Sequence, residues 1–298
     1  MRIFITGATG FIGLAVTREL TAAGHQVSGL CRSDDKAAAL KAAGGTVHCG
    51  ALEDMDSLKS GVAAADGVIH LAFNHDFSRY MQNCEDDRRV VQALGGMLKG
   101  SRRPLLITSG TGMTNTMQGE AAKEDGPFVS SAVLPRAASE EAANDLAAGG
   151  INVSVVRLPQ VHDTVRQGLV TYAVAVARQK GFCAYVGGGQ NRWPAAHISD
   201  VARLYWLALE KAEAGAKYHA VAEEGISMRS IMEALGERLK LPVQSIAAEK
   251  AQDYFGWLAP FAARDLPASS AQTRARLDWQ PIGPGLIADL ERLVLPAL

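Results

Sequence analysis

The sequence predicts a doubly wound α/β fold, in which about seven parallel strands form one sheet with helices on both faces. Three observations indicate this fold. Short apolar runs alternate with helical stretches through most of the 298 residues, and a glycine-rich loop directly follows the first run. A helix with one apolar face also leads into a late strand-like run.

Six strands are predicted from short β-branched or apolar runs, and a seventh follows the amphipathic helix. That helix contains Val201, Leu204, Tyr205 and Ala208 at the i, i+3, i+4, i+7 spacing of one buried face. The predicted strands span residues 2–6, 26–30, 46–49, 67–71, 104–108, 153–157 and 218–222. Because helical segments separate them, the strands are expected to lie parallel in one sheet.

Two stretches break this alternation and predict a second, smaller domain. They are residues 163–193 and the proline-containing segment from residue 225 to the C-terminus. We therefore divide the chain into a sheet-forming domain, residues 1–162 plus about 194–224, and a smaller C-terminal substrate-side domain, residues about 163–193 plus 225–298.

Composition and charge exclude several other classes of protein. The formal net charge is -1 and no dense Lys/Arg run occurs, so neither nucleic acid nor an anionic membrane is an expected partner. No apolar run approaches the ~20 residues that span a bilayer, and the N-terminal residues lack the pattern of a signal peptide. The cysteines lie far apart, without a Cys-x-x-Cys pair. We therefore expect a soluble, cytoplasmic protein with no metal site.

A glycine-rich loop follows the first predicted strand and opens the first helix. Gly7 is expected to permit the tight turn, Gly10 to let a phosphate approach the backbone, and Gly13 to let helix and strand pack closely. The helix should begin near Gly10 and end at Gly24, which can adopt the left-handed conformation. Its N-terminal N–H groups and dipole favour a pyrophosphate. The loop therefore predicts a dinucleotide site in a Rossmann-type domain.

The glycine loop resembles the fingerprint of the extended short-chain dehydrogenase/reductase superfamily, which includes nucleotide-sugar epimerases and dihydroflavonol-type reductases. Its sequence is Thr6-Gly7-Ala8-Thr9-Gly10-Phe11-Ile12-Gly13. Similar landmarks are His70-Leu71-Ala72, Ile107-Thr108-Ser109, Arg157-Leu158-Pro159 and residues 196–202. The resemblance implies cofactor contacts at Gly7, Thr9, Gly10, Phe11, Ile12, Gly13, Arg32, Ser33, Ala51, Leu52, Leu71, Ala72, Phe73, Thr108, Leu158 and Pro159.

The residues after the second strand favour NADP(H) over NAD(H). NAD-specific members of the superfamily place a carboxylate there, which would repel the 2'-phosphate of NADP. This chain has Cys31-Arg32-Ser33 instead, and a guanidinium beside a hydroxyl suits a phosphate. The alternative is that Arg32 is a solvated surface residue and that Asp34 or Asp35 turns toward the ribose.

The usual catalytic pair of the superfamily, a Tyr four residues before a Lys, is missing. No Tyr occurs between Tyr80 and Tyr172. If Ser139 matches the small residue that precedes the Lys, Arg136 takes the Tyr place and Glu140 the Lys place. Two interpretations stay open. Arg136 and Glu140 form an i, i+4 ion pair on the surface, or Glu140 binds the nicotinamide ribose while Arg136 faces the substrate.

Other side chains could complete an active site at the carboxyl ends of the strands. Ser109 or Thr108 is expected to polarise a carbonyl. His75, after the fourth strand, is a candidate proton donor, or else it caps backbone groups of a polar loop. His162 and His197 are weaker candidates, and His197 is expected to brace the fold. The apolar residues proposed to line a substrate pocket are Phe73, Phe77, Met113, Trp193 and Trp257.

Together these features predict an NADP(H)-dependent oxidoreductase of the atypical extended short-chain type. Its partner would be a small carbonyl or alcohol substrate, and a homodimer is left open as the assembly. Two alternatives remain: an epimerase or dehydratase with a bound nicotinamide, and a non-catalytic NADP(H)-binding redox sensor.

Overall fold

The computed structural model describes residues 1–114 and 119–295, the side chain of Phe77 excepted. The strands of this described part are β1 Arg2–Thr6, β2 Gln26–Cys31, β3 Thr46–Cys49, β4 Gly67–His70, β5 Leu105–Gly110, β6 Val153–Leu158, β7 Gln160–His162, β8 Cys183–Val186, β9 Arg192–His197, β10 Lys217–His219, β11 Glu223–Ser227 and β12 Val243–Ile246. The α-helices are α1 Phe11–Ala22, α2 Asp34–Ala42, α3 Met55–Ala63, α4 Tyr80–Met97, α5 Ala138–Ala148, α6 Val170–Lys180, α7 Ile198–Lys211, α8 Met228–Leu239, α9 Ala251–Phe255, α10 Ala259–Ala262, α11 Ala271–Leu277 and α12 Leu286–Glu291.

Seven strands form one parallel sheet in the order β10-β6-β5-β4-β1-β2-β3. This confirms the predicted Rossmann fold class. The chain progresses outward from β1 in one direction and from β4 in the other, so the topology reverses between these two strands. In such sheets the reversal leaves a crevice at the carboxyl ends of the strands, where ligands bind.

Six of the predicted strands agree with the structure to within two residues at each end, and the seventh is shorter than expected. Strand β10 ends at His219, because the chain then leaves the large sheet. The Ala220 N–H donates to the Arg157 carbonyl at 3.0 Å, whereas the Ala222 N–H donates to Ala195 of β9 at 3.0 Å. A periodic pattern cannot show that a strand changes partners part-way along.

Apolar clusters cover both faces of the large sheet. One contains α1 and α7, with Val16 and Leu20 fully buried, and the other contains α3, α4 and α5. A third cluster is built from residues between 170 and 293, around α6, β8 and α8. Helix α11 nevertheless packs against α7 and β10, and Trp279 lies in the first cluster. The division into two domains stays a prediction.

Two smaller sheets accompany the large one. Strand β9 pairs with β7 in parallel and with β11 in antiparallel orientation, and β8 pairs with β12. Within the described ranges, no helix is both long and apolar enough to cross a membrane.

Candidate functional site

The glycine loop joins β1 to α1 and touches the chain that follows β4. Gly7 has a φ of +73°, and a Cβ there would lie 2.6 Å from the Ala72 nitrogen. A Cβ on Gly13 would lie 2.1 Å from the Gly7 oxygen. Gly10 differs, because its φ of -80° suits any residue and an added Cβ would meet only the Gly7 oxygen, at 3.2 Å. The fold therefore requires Gly7 and Gly13, whereas Gly10 leaves open space beside the helix.

That open space lies at the N-terminus of α1, which fits an anion. Gly10 is the N-cap residue and supplies no side-chain cap, and the first turn of the helix contains no acidic residue. The first N–H groups of a helix have no partner within it, and together with the helix dipole they favour negative charge. Thr9, Phe11 and Ile12 are partly exposed around this point. The residues present therefore fit the pyrophosphate of a dinucleotide.

A cavity of about 370 Å³ lies at the carboxyl ends of β2 and β3. Arg32, Ser33, Asp34 and Ala51 are among the residues that line it. Arg32 is exposed, and no ion pair within the described ranges involves its guanidinium. Asp54 also lines the cavity, but its carboxylate caps α3 by accepting the Asp56 and Ser57 N–H groups at 3.1 Å each. Arg32 is thus a free cation beside the space, and Asp34 is the carboxylate that could compete with it.

A chain of buried polar side chains connects the glycine loop to Arg136. The Thr6 hydroxyl contacts His70 Nδ1 at 2.6 Å, and His70 Nε2 contacts Asp87 Oδ1 at 2.9 Å. The other Asp87 oxygen accepts a hydrogen bond from Arg136 at 3.0 Å. Although burial raises the pKa of Asp87, the Arg136 charge and the contacts with His70 and Ser139 outweigh it and lower the pKa to about 2. The carboxylate therefore stays charged and fixes the Arg136 guanidinium.

Arg136 lies at the carboxyl ends of β4 and β5, next to two aromatic rings. Its guanidinium donates to the Thr108 carbonyl at 2.9 Å and lies 4.3 Å from the centroid of the Phe73 ring. The His75 ring packs edge-on against the same Phe73 ring at 5.2 Å. Burial lowers the pKa of His75, and the Arg136 charge lowers it further. The structure thus brings together the predicted residues Phe73, His75 and Arg136.

Tyr80 is a neighbour of this group that the sequence analysis overlooked. It is the first residue of α4, and its hydroxyl is near enough to Arg136 and Cys84 for both to change its acidity. Burial is the main cause that raises the pKa of Tyr80 to about 12. A search for Tyr four residues before Lys could not find it, because Tyr80 comes from a different helix.

Glu140 lies elsewhere, and one of the two interpretations left open, a surface ion pair of Arg136 with Glu140, is wrong. The Glu140 side chain is 0% exposed and forms an ion pair with Arg157, which is also 0% exposed. Ser109 donates a hydrogen bond to Glu140 at 3.0 Å, and Lys217 Nζ lies 3.7 Å away. A carboxylate in contact with a ribose needs an accessible oxygen, which this burial denies. Glu140 is therefore the buried ion-pair partner of Arg157 in β6, and it lies one helical turn beyond the partly exposed Arg136.

The two hydroxyls expected to polarise a carbonyl are also occupied. Ser109 is 4% exposed and its hydroxyl is directed to Glu140. The Thr108 hydroxyl donates to the His70 carbonyl at 2.8 Å and contacts the buried Tyr205 hydroxyl at 2.7 Å. Both hydroxyls hold the sheet and its helices together in this structure, and Arg136 is a partly exposed polar group beside them.

The remaining predicted residues divide between the crevice and the core. Leu71, Ala72, Leu158 and Pro159 are partly exposed at the carboxyl ends of β4 and β6, and Leu52 packs at the edge of the second cluster. His162 is 0% exposed and contacts Asp289 of α12 at 2.7 Å. His197 caps α7.

The expected pocket residues are likewise divided. Trp193 is 1% exposed in the third cluster, so its place in an open pocket is wrong. Met113 is partly exposed, and Trp257 is 41% exposed and packs edge-on against Tyr172. The side chain of Phe77 lies outside the described part of the chain.

Comparison with known proteins identifies the family. The sequence profile of the NAD dependent epimerase/dehydratase family matches residues 3–222, which include the glycine loop and, apart from Arg2 of β1, all seven strands of the large sheet. The chain belongs to this family. As an epimerase/dehydratase family member it is an NAD(P)-dependent enzyme, and the predicted superfamily resemblance is confirmed.

The chain is also similar to individual proteins in sequence and in fold. The epimerase/dehydratase chain is 47% identical to the uncharacterized protein C2A9.02 of Schizosaccharomyces pombe, over 97% of this chain and 98% of that protein. It is 29% identical to the 2-alkyl-3-oxoalkanoate reductase of Stenotrophomonas maltophilia, over 79% of this chain and 74% of that one. The dTDP-glucose 4,6-dehydratase DesIV of Streptomyces venezuelae, solved with NAD bound, has a TM-score of 0.78 at 19% identity, covering 98% of this chain and 95% of that chain. DesIV shares the fold.

Proposed function

We propose that this enzyme is an NADP(H)-dependent oxidoreductase that reduces a small carbonyl compound or oxidises the corresponding alcohol. The observation that carries the proposal is the unpaired Arg32 in the cavity at the carboxyl ends of β2 and β3. A guanidinium there suits the 2'-phosphate of NADP, because it can donate two parallel hydrogen bonds to phosphate oxygens. The glycine loop would hold the pyrophosphate through the N–H groups at the start of α1.

The group around Phe73 supports a carbonyl substrate with an apolar body. When bound, the nicotinamide supplies or accepts a hydride. Arg136 is a partly exposed cation at the carboxyl ends of β4 and β5, and it would orient and polarise the carbonyl oxygen while Phe73 contacts the apolar part. The reductase from Stenotrophomonas maltophilia, whose name indicates an oxoalkanoate substrate, agrees with this substrate class.

The proton donor is a separate group under this proposal. Arg136 keeps the Tyr place, which faces the substrate, but a guanidinium stays protonated and is a poor proton donor. His75 then becomes the proposed proton donor. Because its pKa is lowered, only a minor fraction of the molecules carries a protonated His75 at pH 7, and that fraction would donate the proton.

The cofactor preference provides the first test. Arg32→Asp is expected to weaken NADPH binding by roughly 100-fold, since it replaces a charge-assisted contact with repulsion, and to improve NADH binding. Fluorescence titration with both nucleotides measures the change. Asp34→Asn is the matched control, and it should leave the NADPH preference intact. A wild type that already prefers NADH, or an Asp34→Asn variant that alone loses NADH binding, would assign the ribose to Asp34 instead.

Arg136 provides the second test. Arg136→Met is expected to reduce kcat/KM for carbonyl reduction by roughly 100-fold or more, the usual effect of losing a group that stabilises a developing oxyanion. NADPH affinity should stay within a few-fold of wild type. The control is Arg88→Met, which removes a partly exposed arginine of α4 that pairs with Glu85 and Glu141. Equal turnover in the Arg136→Met variant and the wild type would contradict the role of Arg136.

The reaction type is tested by following NADPH absorbance in the presence of a panel of short 3-oxo acids, ketones and aldehydes. Stoichiometric NADPH oxidation is the expected result. A tightly retained nicotinamide with no net change in its redox state would favour the epimerase or dehydratase alternative. Saturable NADPH binding without turnover of any carbonyl would favour a redox sensor.

A further inference from the structure

We propose that Arg166, in the segment that follows β7, forms the second wall of the diphosphate site opposite the N-terminus of α1. This inference rests on the proposed function, because it adds a residue to the same dinucleotide site. The Arg166 guanidinium carbon lies 5.9 Å from the centroid of the Phe11 ring. Phe11 is the first residue of α1 and belongs to the glycine loop. A residue outside the fingerprint therefore lies beside the first side chain of α1, the helix whose N-terminus would hold a pyrophosphate.

The positive charges of Arg166 and of the N-terminus of α1 would favour binding of an anion near this contact. A cation near a helix N-terminus is unfavourable, because the partial positive charge of the helix is at that end. The first turn of α1 contributes no acidic residue to offset Arg166. Across the described ranges, no ion pair and no side-chain hydrogen bond involves the Arg166 guanidinium. Within the described ranges, neither the Arg166 guanidinium nor the first turn of the neighbouring helix α1 has an acidic partner, and the two charged oxygens of a diphosphate would satisfy both.

The backbone presents Arg166 on a fixed turn. The Asp163 carboxylate accepts the N–H groups of Val165 and Arg166, both at 2.7 Å. The Asp163 N–H donates to the Arg166 carbonyl at 2.8 Å, and the fully buried Gln167 side chain donates to the Asp163 carbonyl at 2.9 Å. Because the backbone is held, binding of an anion would require ordering of the exposed Arg166 side chain alone and not of the segment that carries it.

The segment around Arg166 is also tied to the C-terminal part of the chain. The Val294 N–H donates to the Thr164 carbonyl at 2.7 Å, two residues before Arg166. This contact from the end of the chain therefore helps to hold the segment that places Arg166 beside Phe11 of α1. We assign the anion to the diphosphate of the cofactor, because Phe11 is the first residue of α1, the helix whose N-terminal N–H groups would bind that diphosphate.

The test compares Arg166→Gln with Arg18→Gln. Both changes remove one positive charge, and Arg18 is an exposed residue of α1 seven positions beyond Phe11, about 10 Å farther along the helix. The probes are NADPH and adenosine 2',5'-bisphosphate, which retains the 2'-phosphate but has a single 5'-phosphate in place of the diphosphate. We expect Arg166→Gln to weaken NADPH binding about 10-fold and to weaken the bisphosphate less than threefold. Arg18→Gln should change neither affinity more than twofold, and thermal unfolding should show that both variants fold.

The outcomes separate this inference from the function on which it rests. Equal NADPH affinity in the Arg166→Gln and Arg18→Gln variants, with normal binding by the wild type, would overturn the role of Arg166 alone. Weaker binding of UDP but not of NADPH to Arg166→Gln would also overturn it, since the arginine would then serve a substrate diphosphate. A wild type that binds neither NADPH nor NADH would overturn both proposals.

Discussion

Replacing Glu140 with alanine is expected to lower the free energy of unfolding by about 3 to 5 kcal/mol, while the folded protein keeps its NADPH affinity. The reason is the burial of the Arg157 guanidinium, which loses its ion-pair partner where water cannot replace it. Ser109 also loses the acceptor of its hydroxyl proton. Since whole domains are stable by about 5 to 15 kcal/mol, the loss is a large fraction of the total. Urea denaturation followed by circular dichroism measures it.

Two further variants test the same explanation even if Glu140→Ala folds poorly. Glu141→Ala, one residue along α5, removes a carboxylate that is 23% exposed and pairs with Arg88, and it should cost about 1 kcal/mol or less. The double variant Glu140→Leu, Arg157→Met removes both buried charges and should recover much of the lost stability. A stable Glu140→Ala protein with weakened NADPH binding would instead restore the ribose role for Glu140.

Gly10→Val is expected to weaken NADPH binding by at least about 100-fold, with only a small loss of stability. The backbone of Gly10 is extended, at φ -80° and ψ 172°, a conformation that valine adopts readily. An added Cβ would touch only the Gly7 oxygen, so the branched side chain would project into the space where phosphate oxygens meet the helix N-terminus. Titration of NADPH and thermal unfolding of the same sample separate binding from folding.

Two other glycines serve as controls for Gly10→Val. Gly96 in α4 has no atom within 4 Å of an added Cβ, so Gly96→Val should fold and bind NADPH normally. Gly13→Ala should lose stability as well as NADPH binding, because its Cβ would lie 2.1 Å from the Gly7 oxygen. Unchanged NADPH affinity in the Gly10→Val variant would remove the basis of the proposed cofactor site.

Much of the fold and the dinucleotide site could be predicted because their signals are local. The strands of the large sheet are short apolar runs separated by helices, and this alternation alone favours parallel strands around a common crevice. The spacing of Gly7, Gly10 and Gly13 directly after a strand reports backbone requirements, two of which the structure shows as close contacts. The positive φ of Gly7 and the contact of Gly13 with Gly7 arise within a few residues, so the sequence expresses them locally, although an added Cβ on Gly7 would also meet Ala72 after β4.

The side chains near the substrate position could not be predicted in this way. Spacing suggested that Arg136 and Glu140, four residues apart, belong to one pair, whereas Arg136 pairs with Asp87, 49 residues earlier, and Glu140 with Arg157. The rotation of α5 over the sheet decides which of its residues is buried, and that rotation depends on packing against α4 and β6. One helical turn therefore separates an accessible cation from a buried carboxylate.

The sequence by itself determined the fold class, the glycine loop and the cation after β2, since each follows from hydrophobic period, backbone conformation or the end of a strand. Only the tertiary structure decided the partners of the charged side chains. It buried Glu140, fixed Arg136 through Asp87 and brought Arg166 to Phe11, 155 positions earlier in the chain. The physical reason is that a charged side chain is stabilised by whatever lies within a few ångströms of it, and chain folding sets those neighbours independently of sequence spacing.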